Sequence, residues 1–139
     1  MSKNVCGIQI KGSEAIFIIL TGNKSDFEIC NTAFNKLELE DSTQQSQIHS
    51  FRQAVSSLFK NHNISKLGIK SRPTGGKVQG GAASFIIEGI IQTLDTTAEI
   101  IHYATLASYY KKNPYEVKKH DIYKYQYDAF KVAYYLLEE

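Results

Sequence analysis

The chain has no tryptophan, one methionine, two prolines and two cysteines among 139 residues, and its net charge is only +2. Cys6 and Cys30 lie far apart in strand-like apolar runs. They show no metal-ligand spacing, and they read as small hydrophobes in a reduced, cytoplasmic setting. Sixteen basic side chains against fourteen acidic ones exclude a polyanion-binding surface that covers the whole molecule, so any such surface is local. No window approaches eighteen consecutive apolar residues, and the opening MSKNVCGIQIKG has no apolar signal region. Neither a membrane span nor secretion is therefore expected. What the chain does have, 42% apolar and 22% charged residues, is the composition of a globular fold with its own core, expected as a single domain over 1–139.

Val5 to Ile10 and Glu14 to Leu20 are β-branched runs joined by Lys11-Gly12-Ser13, which predicts a hairpin. AIFIIL is apolar on both faces and so central in a sheet. A third strand region follows the GNKSD turn and ends in KLELE, where Leu37 and Leu39 alternate with charges, the pattern of a protected edge. Ser42 with Gln45 three residues later has capping-box form and predicts a helix whose Ile48, Phe51, Val55, Leu58 and Phe59 make one apolar stripe. His62, near its end, suits the last carbonyls. LGIK predicts a fourth strand, AASFIIEGIIQTL a second helix, and residues 98–103 a fifth strand. A short helix over 105–112, a break at Asn113-Pro114 and a closing helix over 122–137 complete the chain, the last with Ile122, Tyr125, Ala129, Ala133, Leu136 and Leu137 inward.

Three antiparallel strands followed by helix, strand, helix, strand and helices require right-handed crossovers, so the later strands run parallel to the first. The expected fold is α/β, a mixed five-stranded sheet with helices on both faces, in the order used by the ribonuclease-H-like superfamily that includes the bacterial Holliday-junction resolvase. Five pieces, CGIQIKGSEA, LGIKSR, GGKVQGGAASFIIEGIIQ, KKNP and YQYDAFKVAYYLL, resemble a bacterial family known as domain of unknown function 3010. That resemblance implies a ribonuclease-H-like fold and no established activity.

Two-metal phosphodiester cleavage on such a fold needs several carboxylates converging beside the first strand, because two divalent cations must be held by hard oxygen ligands. By resemblance to the superfamily, the positions are in strand one, at the end of strand four and on the closing helix. Here they carry Gln9, Lys70-Ser71 and Tyr127-Asp128, which leaves Asp128 as the single carboxylate. The family resemblance implies Glu at the places of Gln9, Ser71 and Tyr127, so this chain departs from it there. Asp128 has two readings, a metal ligand or an exposed ion-pair partner of Lys124 and Lys131 on an ideal helix. No cofactor is expected, with Mg or Mn required only for a nuclease using noncanonical ligands. His120-Asp121 reads as a capping pair at the start of the closing helix, His102 lies at a strand end, His49 falls on the polar side of the first helix, and no nucleophile elbow accompanies them.

Between the fourth strand and the second helix runs KSRPTGGKVQGG. It is no Walker motif, since Lys77 is followed by Val78 and Ser71 stands where the first glycine belongs, and there is no GxGxxG. Lys70, Arg72 and Lys77 with Gly75, Gly76, Gly80 and Gly81, leading into a helix with unpaired N–H groups, suit a phosphate; the same residues also suit a solvated surface loop. All nine tyrosines fall from Tyr103 onward, and Tyr109, Tyr110 and Tyr115 are interleaved with Lys111, Lys112, Lys118 and Lys119, as in surfaces that stack bases, or as half-buried rings with wet hydroxyls. The expected function is a degenerate, non-catalytic domain binding nucleic acid or a phosphorylated ligand. The alternatives are a metal-dependent nuclease and a homodimeric interaction protein, the last because Phe85 beside Gly89 falls opposite the stripe of Ala83, Ile86, Ile87, Ile90 and Leu94.

Overall fold

The computed structural model describes residues 4–70 and 81–139. Strands β1 (Asn4–Lys11) and β2 (Glu14–Asn23) form the predicted hairpin, in register from Asn4 opposite Thr21 to Lys11 opposite Glu14. Gly12 takes the first central position of the turn with φ +60°, a conformation that a side chain would strain. Strands β5 (Ile64–Lys70) and β6 (Ala98–Ile101) add parallel to β1 in the order β2-β1-β5-β6, and β3 (Asp26–Ile29) lies on the outer edge of β2. The parallel arrangement of the later strands is as expected.

The third strand region is realised as two short strands on the same edge of β2. Strand β3 (Asp26–Ile29) pairs with Leu20–Asn23, and β4 (Lys36–Glu38) with Glu14–Ile16. Between them the chain bows away, held at its two ends by Cys30 N–H to Ile19 O, 2.9 Å, and Phe17 N–H to Asn35 O, 2.8 Å.

Two apolar layers sandwich the sheet. Cys6, Ile8, Ile10, Phe17 and Ile19 face helices α1 (Gln45–Asn61) and α2 (Gly81–Gln92), where Phe51, Val55, Leu58, Ile87 and Ile91 are buried. Val5, Ile16, Ile18 and Leu20 face α4 (Tyr127–Leu136), with Leu106 of α3 (Tyr103–Lys112) beside it. A register shift between Asn4 and Val5 against β5 breaks its alternation, so Ile64, Leu67 and Ile69 all join the α1–α2 layer. Among the described residues no helix is long and apolar enough to cross a membrane.

The helix ends differ from the capping pattern expected at Ser42. Asp41 builds an Asx turn, its Oδ1 accepting from the N–H and hydroxyl of Thr43, which holds its carboxyl below the usual range; the side chain of Gln47 reaches back to the Asp41 N–H at 2.9 Å. Gln44 is therefore the N-cap. His62 is the C-cap of α1 through its main-chain N–H, which donates to Leu58 O at 3.2 Å, and Asn63 follows in the left-handed region at φ 47°. The fifth strand stops at Ile101, because His102 turns to cap α3, its Nδ1 accepting the Ala104 N–H at 3.2 Å. The expected closing helix begins five residues late. Val117–Lys119 and Lys124–Gln126 form 3-10 turns before α4, leaving Tyr125 exposed and placing Gln126 and Phe130 inward instead.

Candidate functional site

Gly7 and Gly68 stand side by side in the register of β1 and β5, both under α4. A Cβ on Gly7 would lie 2.0 Å from the carbonyl oxygen of Ala129, and one on Gly68 would lie 2.7 Å from Ile101 Cδ1. The helix thus rests on bare strand backbone, and its first turn descends onto the C-terminal ends of β1 and β5. Three of the sequence-predicted positions meet there. Gln9 Nε2 donates to Asp128 Oδ2 at 3.0 Å, and Lys70 Nζ lies 3.4 Å from the same oxygen. Asp128 pairs with Lys70 and with neither Lys124 nor Lys131; Lys124 is not on α4 at all, because the helix begins at Tyr127 and Lys124 belongs to the preceding 3-10 turn.

The ion pair forms one wall of a cavity of about 240 Å³ lined by Lys70, Tyr103, Leu106, Ala107, Tyr110, Asp128 and Lys131. Lys131 Nζ stands 5.7 Å from the centre of the Tyr110 ring, and the Tyr110 hydroxyl donates to Lys131 O at 2.6 Å. Burial pushes that phenol's pKa up, which keeps it neutral. Lys131, one turn beyond Asp128, was legible as a neighbour; α3 and its Tyr103 and Leu106 were not, because only the tertiary fold lays them against α4.

This donor set does not fit a pair of divalent cations. Asp128 Oδ2 already accepts an amide N–H and faces an ammonium, and a cation entering there would meet Lys70 as a like charge. Among the described residues, no three His, Cys, Asp or Glu side chains are grouped to hold a metal ion. Ser71 of the expected metal positions, and Arg72, Gly75, Gly76, Lys77 and Gly80 of the expected phosphate loop, lie outside the described residues, and Gly81 opens α2.

The interleaved tyrosines pack mainly against the protein. Tyr109 meets Tyr110 and Tyr135 edge-on, each at 5.0 Å between ring centres, and Tyr115 is hydrogen-bonded through its hydroxyl to His120 Nε2 at 2.7 Å. His120 is also 4.9 Å from Phe130 and 5.5 Å from Phe27, so it belongs to an aromatic cluster and not to the cap of α4. Partial burial, helped by Lys119, lowers its pKa. The tyrosines that do face outward are Tyr103, Tyr123 and Tyr125.

Comparison with solved structures gives T. thermophilus RuvC in complex with Holliday junction substrate at TM-score 0.72 and 7% identity, over 94% of this chain and 90% of that one. The yeast mitochondrial Holliday junction resolvase superimposes at 0.52 with 10% identity, over 94% and 74% of the two chains. Fowlpox virus resolvase, solved with Holliday junction DNA, gives 0.51 and 11%, over 96% and 97%. At these identities the likeness shows the fold, which is ribonuclease-H-like of the RuvC type. Among curated proteins no sequence match is found. The family described as protein of unknown function (DUF3010) matches residues 3–136.

Proposed function

We propose that this chain, which belongs to the DUF3010 family of proteins of unknown function, binds nucleic acid through the basic end of β5 and does not hydrolyse it. The observation that carries this reading is the placement of Lys70 Nζ 3.4 Å from Asp128 Oδ2, with Gln9 donating to the same oxygen. Where cleavage would need clustered oxygen ligands, this chain has one carboxylate held by an ammonium and an amide. Lys70 and Lys131 flank the cavity, and Arg72, Lys77 and the glycines Gly75, Gly76, Gly80 and Gly81 extend the basic stretch in sequence toward α2. Phosphate groups of a strand suit these cations, and the resolvases of like fold act on branched DNA, which makes a junction or single strand the first substrate to test.

The test is a salt series of fluorescence anisotropy with branched and single-stranded DNA. Replacing Lys70, Arg72 and Lys77 together by alanine is expected to leave the fold intact and to reduce the slope of log affinity against log salt by about 2 to 3. An unchanged slope removes this region from the interface. With Mg or Mn present, no cleavage above a chelated control is expected; activity abolished by Asp128→Asn would restore the metal-dependent nuclease instead.

A second reading concerns assembly. Phe85 is 58% exposed on α2, and among the described residues nothing beyond the local backbone of α2 lies within 4 Å of where a Gly89 side chain would begin. The exposure of this ring supports pairing of two copies through α2.

A further inference from the structure

Where the edge of β2 is left by β3 and not yet joined by β4, a cavity of about 400 Å³ opens beside Phe17, Ile18 and Ile19. One wall is the bowed segment with Asn31, Thr32 and Asn35; the other is the approach to α4, with Asp121, Tyr123 and Gln126. The wall is braced from within, Thr32 Oγ1 donating to Phe34 O at 2.8 Å. Gln126 is only 4% exposed, accepts the Tyr123 N–H at 3.1 Å and donates to Phe17 O at 3.4 Å. An amide carries two N–H donors, so one remains without a partner among the described residues, in a side chain that lines the cavity. No lysine or arginine lines it, and Asp121 is its one charged side chain, which disfavours a phosphate or a carboxylate as the occupant. At the mouth Tyr123 is 61% exposed and lies parallel to Tyr125, 5.3 Å between centres and 9° between planes.

An exposed aromatic face, amide donors and one acceptor-only carboxylate beside the open edge of β2 are the chemistry that recognises an unstacked heterocyclic base. We propose that this cleft takes an unpaired nucleobase, with guanine preferred. Guanine alone among the common bases presents two adjacent donors, N1–H and N2–H, to a carboxylate, and its neighbouring O6 accepts from an amide such as Gln126. The inference rests on the nucleic-acid reading for the source of the base. Gln126 contacts β2 while Asp128, two residues on, contacts β1 and β5, so the cleft and the Lys70 site lie on either side of the start of α4. A strand held at Lys70 passes that helix start to place a base in the cleft.

Nucleosides carry no phosphate, so they test the cleft independently of Lys70. In a titration followed by protein NMR, guanosine is expected to shift the amides of Asn31, Thr32 and Asn35 and the side-chain amide of Gln126. Inosine, which lacks the N2 amine, is expected to bind about tenfold more weakly, and Asp121→Asn to weaken guanosine by a similar factor, while Lys70→Ala leaves it unchanged. Asp121 is exposed, so its substitution does not threaten the fold. Unmoved cleft resonances, or guanosine affinity indifferent to Asp121→Asn, overturn the proposal; if DNA still binds with a steep salt slope, the nucleic-acid reading survives that failure. Guanosine bound in the cleft of a protein that binds no polynucleotide supports the cleft and removes the strand as its source.

Discussion

Gly7 and Gly68 set how deeply α4 lies on the sheet, and so whether Asp128 reaches Gln9 and Lys70. The two differ in what a methyl group would meet. At Gly7 it meets backbone, Ala129 O at 2.0 Å and Ala133 N at 2.5 Å; at Gly68 it meets the ends of Ile101, Val132 and Leu136 side chains at 2.7 to 3.0 Å. Side chains can turn aside, whereas a helix must lift. Gly7→Ala is therefore expected to cost about 3 kcal/mol, and Gly68→Ala about 1 kcal/mol, measured by urea unfolding. Equal costs would mean that α4 is free to move. The sequence does carry this signal, since a glycine inside CGIQI and another inside LGIK mark close backbone approach in strands, but which backbone approaches is not written locally. The same holds for Asp128. Its place near Gln9 and Lys70 was implied by the superfamily resemblance, while its actual partners depended on where α4 begins.

At the scale of elements, apolar periodicity located the two helices on the α1–α2 face and the first two strands, because each buries a continuous stripe or run. It located the edge of β2 less well, since Asn31 to Asn35 carry no strand pattern and the two flanking strands have only four and three residues. It also overextended the closing helix, because the residues before α4 supply apolar and aromatic side chains at compatible spacing while forming 3-10 turns. The far end of α4 is secured from outside the helix. Lys24, in the β2–β3 turn, donates from Nζ to Tyr135 O at 3.3 Å and to Leu137 O, and its N–H donates to Glu138 O at 2.8 Å. Its side chain is only 12% exposed and its ammonium stands 5.9 Å from the Tyr134 ring centre. The Glu139 carboxylate, 3.2 Å away but 88% exposed, adds little. A cation on the last carbonyls of a helix both fills their hydrogen-bonding capacity and opposes the helix dipole. Lys24→Met keeps the stem and removes the charge, and is expected to cost about 2 kcal/mol, with faster hydrogen exchange at Leu136 and Leu137. Destabilisation without local fraying would place the effect elsewhere.

The topology of the whole molecule was the part most legible in the sequence, because chain order and the handedness of parallel crossovers leave few α/β arrangements. Surfaces were less so, since a helical wheel says which residues face away from the core and not what meets them. Phe85 is the case in point. Its position opposite the stripe of α2 allowed either a contact inside the chain or one between copies. The structure buries Ile87, Ile90 and Ile91 and leaves Phe85 58% exposed. A residue so exposed contributes little to the core, so Phe85→Glu is expected to change unfolding free energy by about 0.5 kcal/mol or less. Its effect on assembly should be larger. A closed two-fold interface brings the two copies of such a residue near each other, and two carboxylates there would be desolvated as like charges. Light scattering of the parent chain is therefore expected to give the mass of a dimer, and Phe85→Glu that of a folded monomer. A monomeric parent, or a dimer that survives the substitution with its melting temperature unchanged, would remove α2 as the contact between copies.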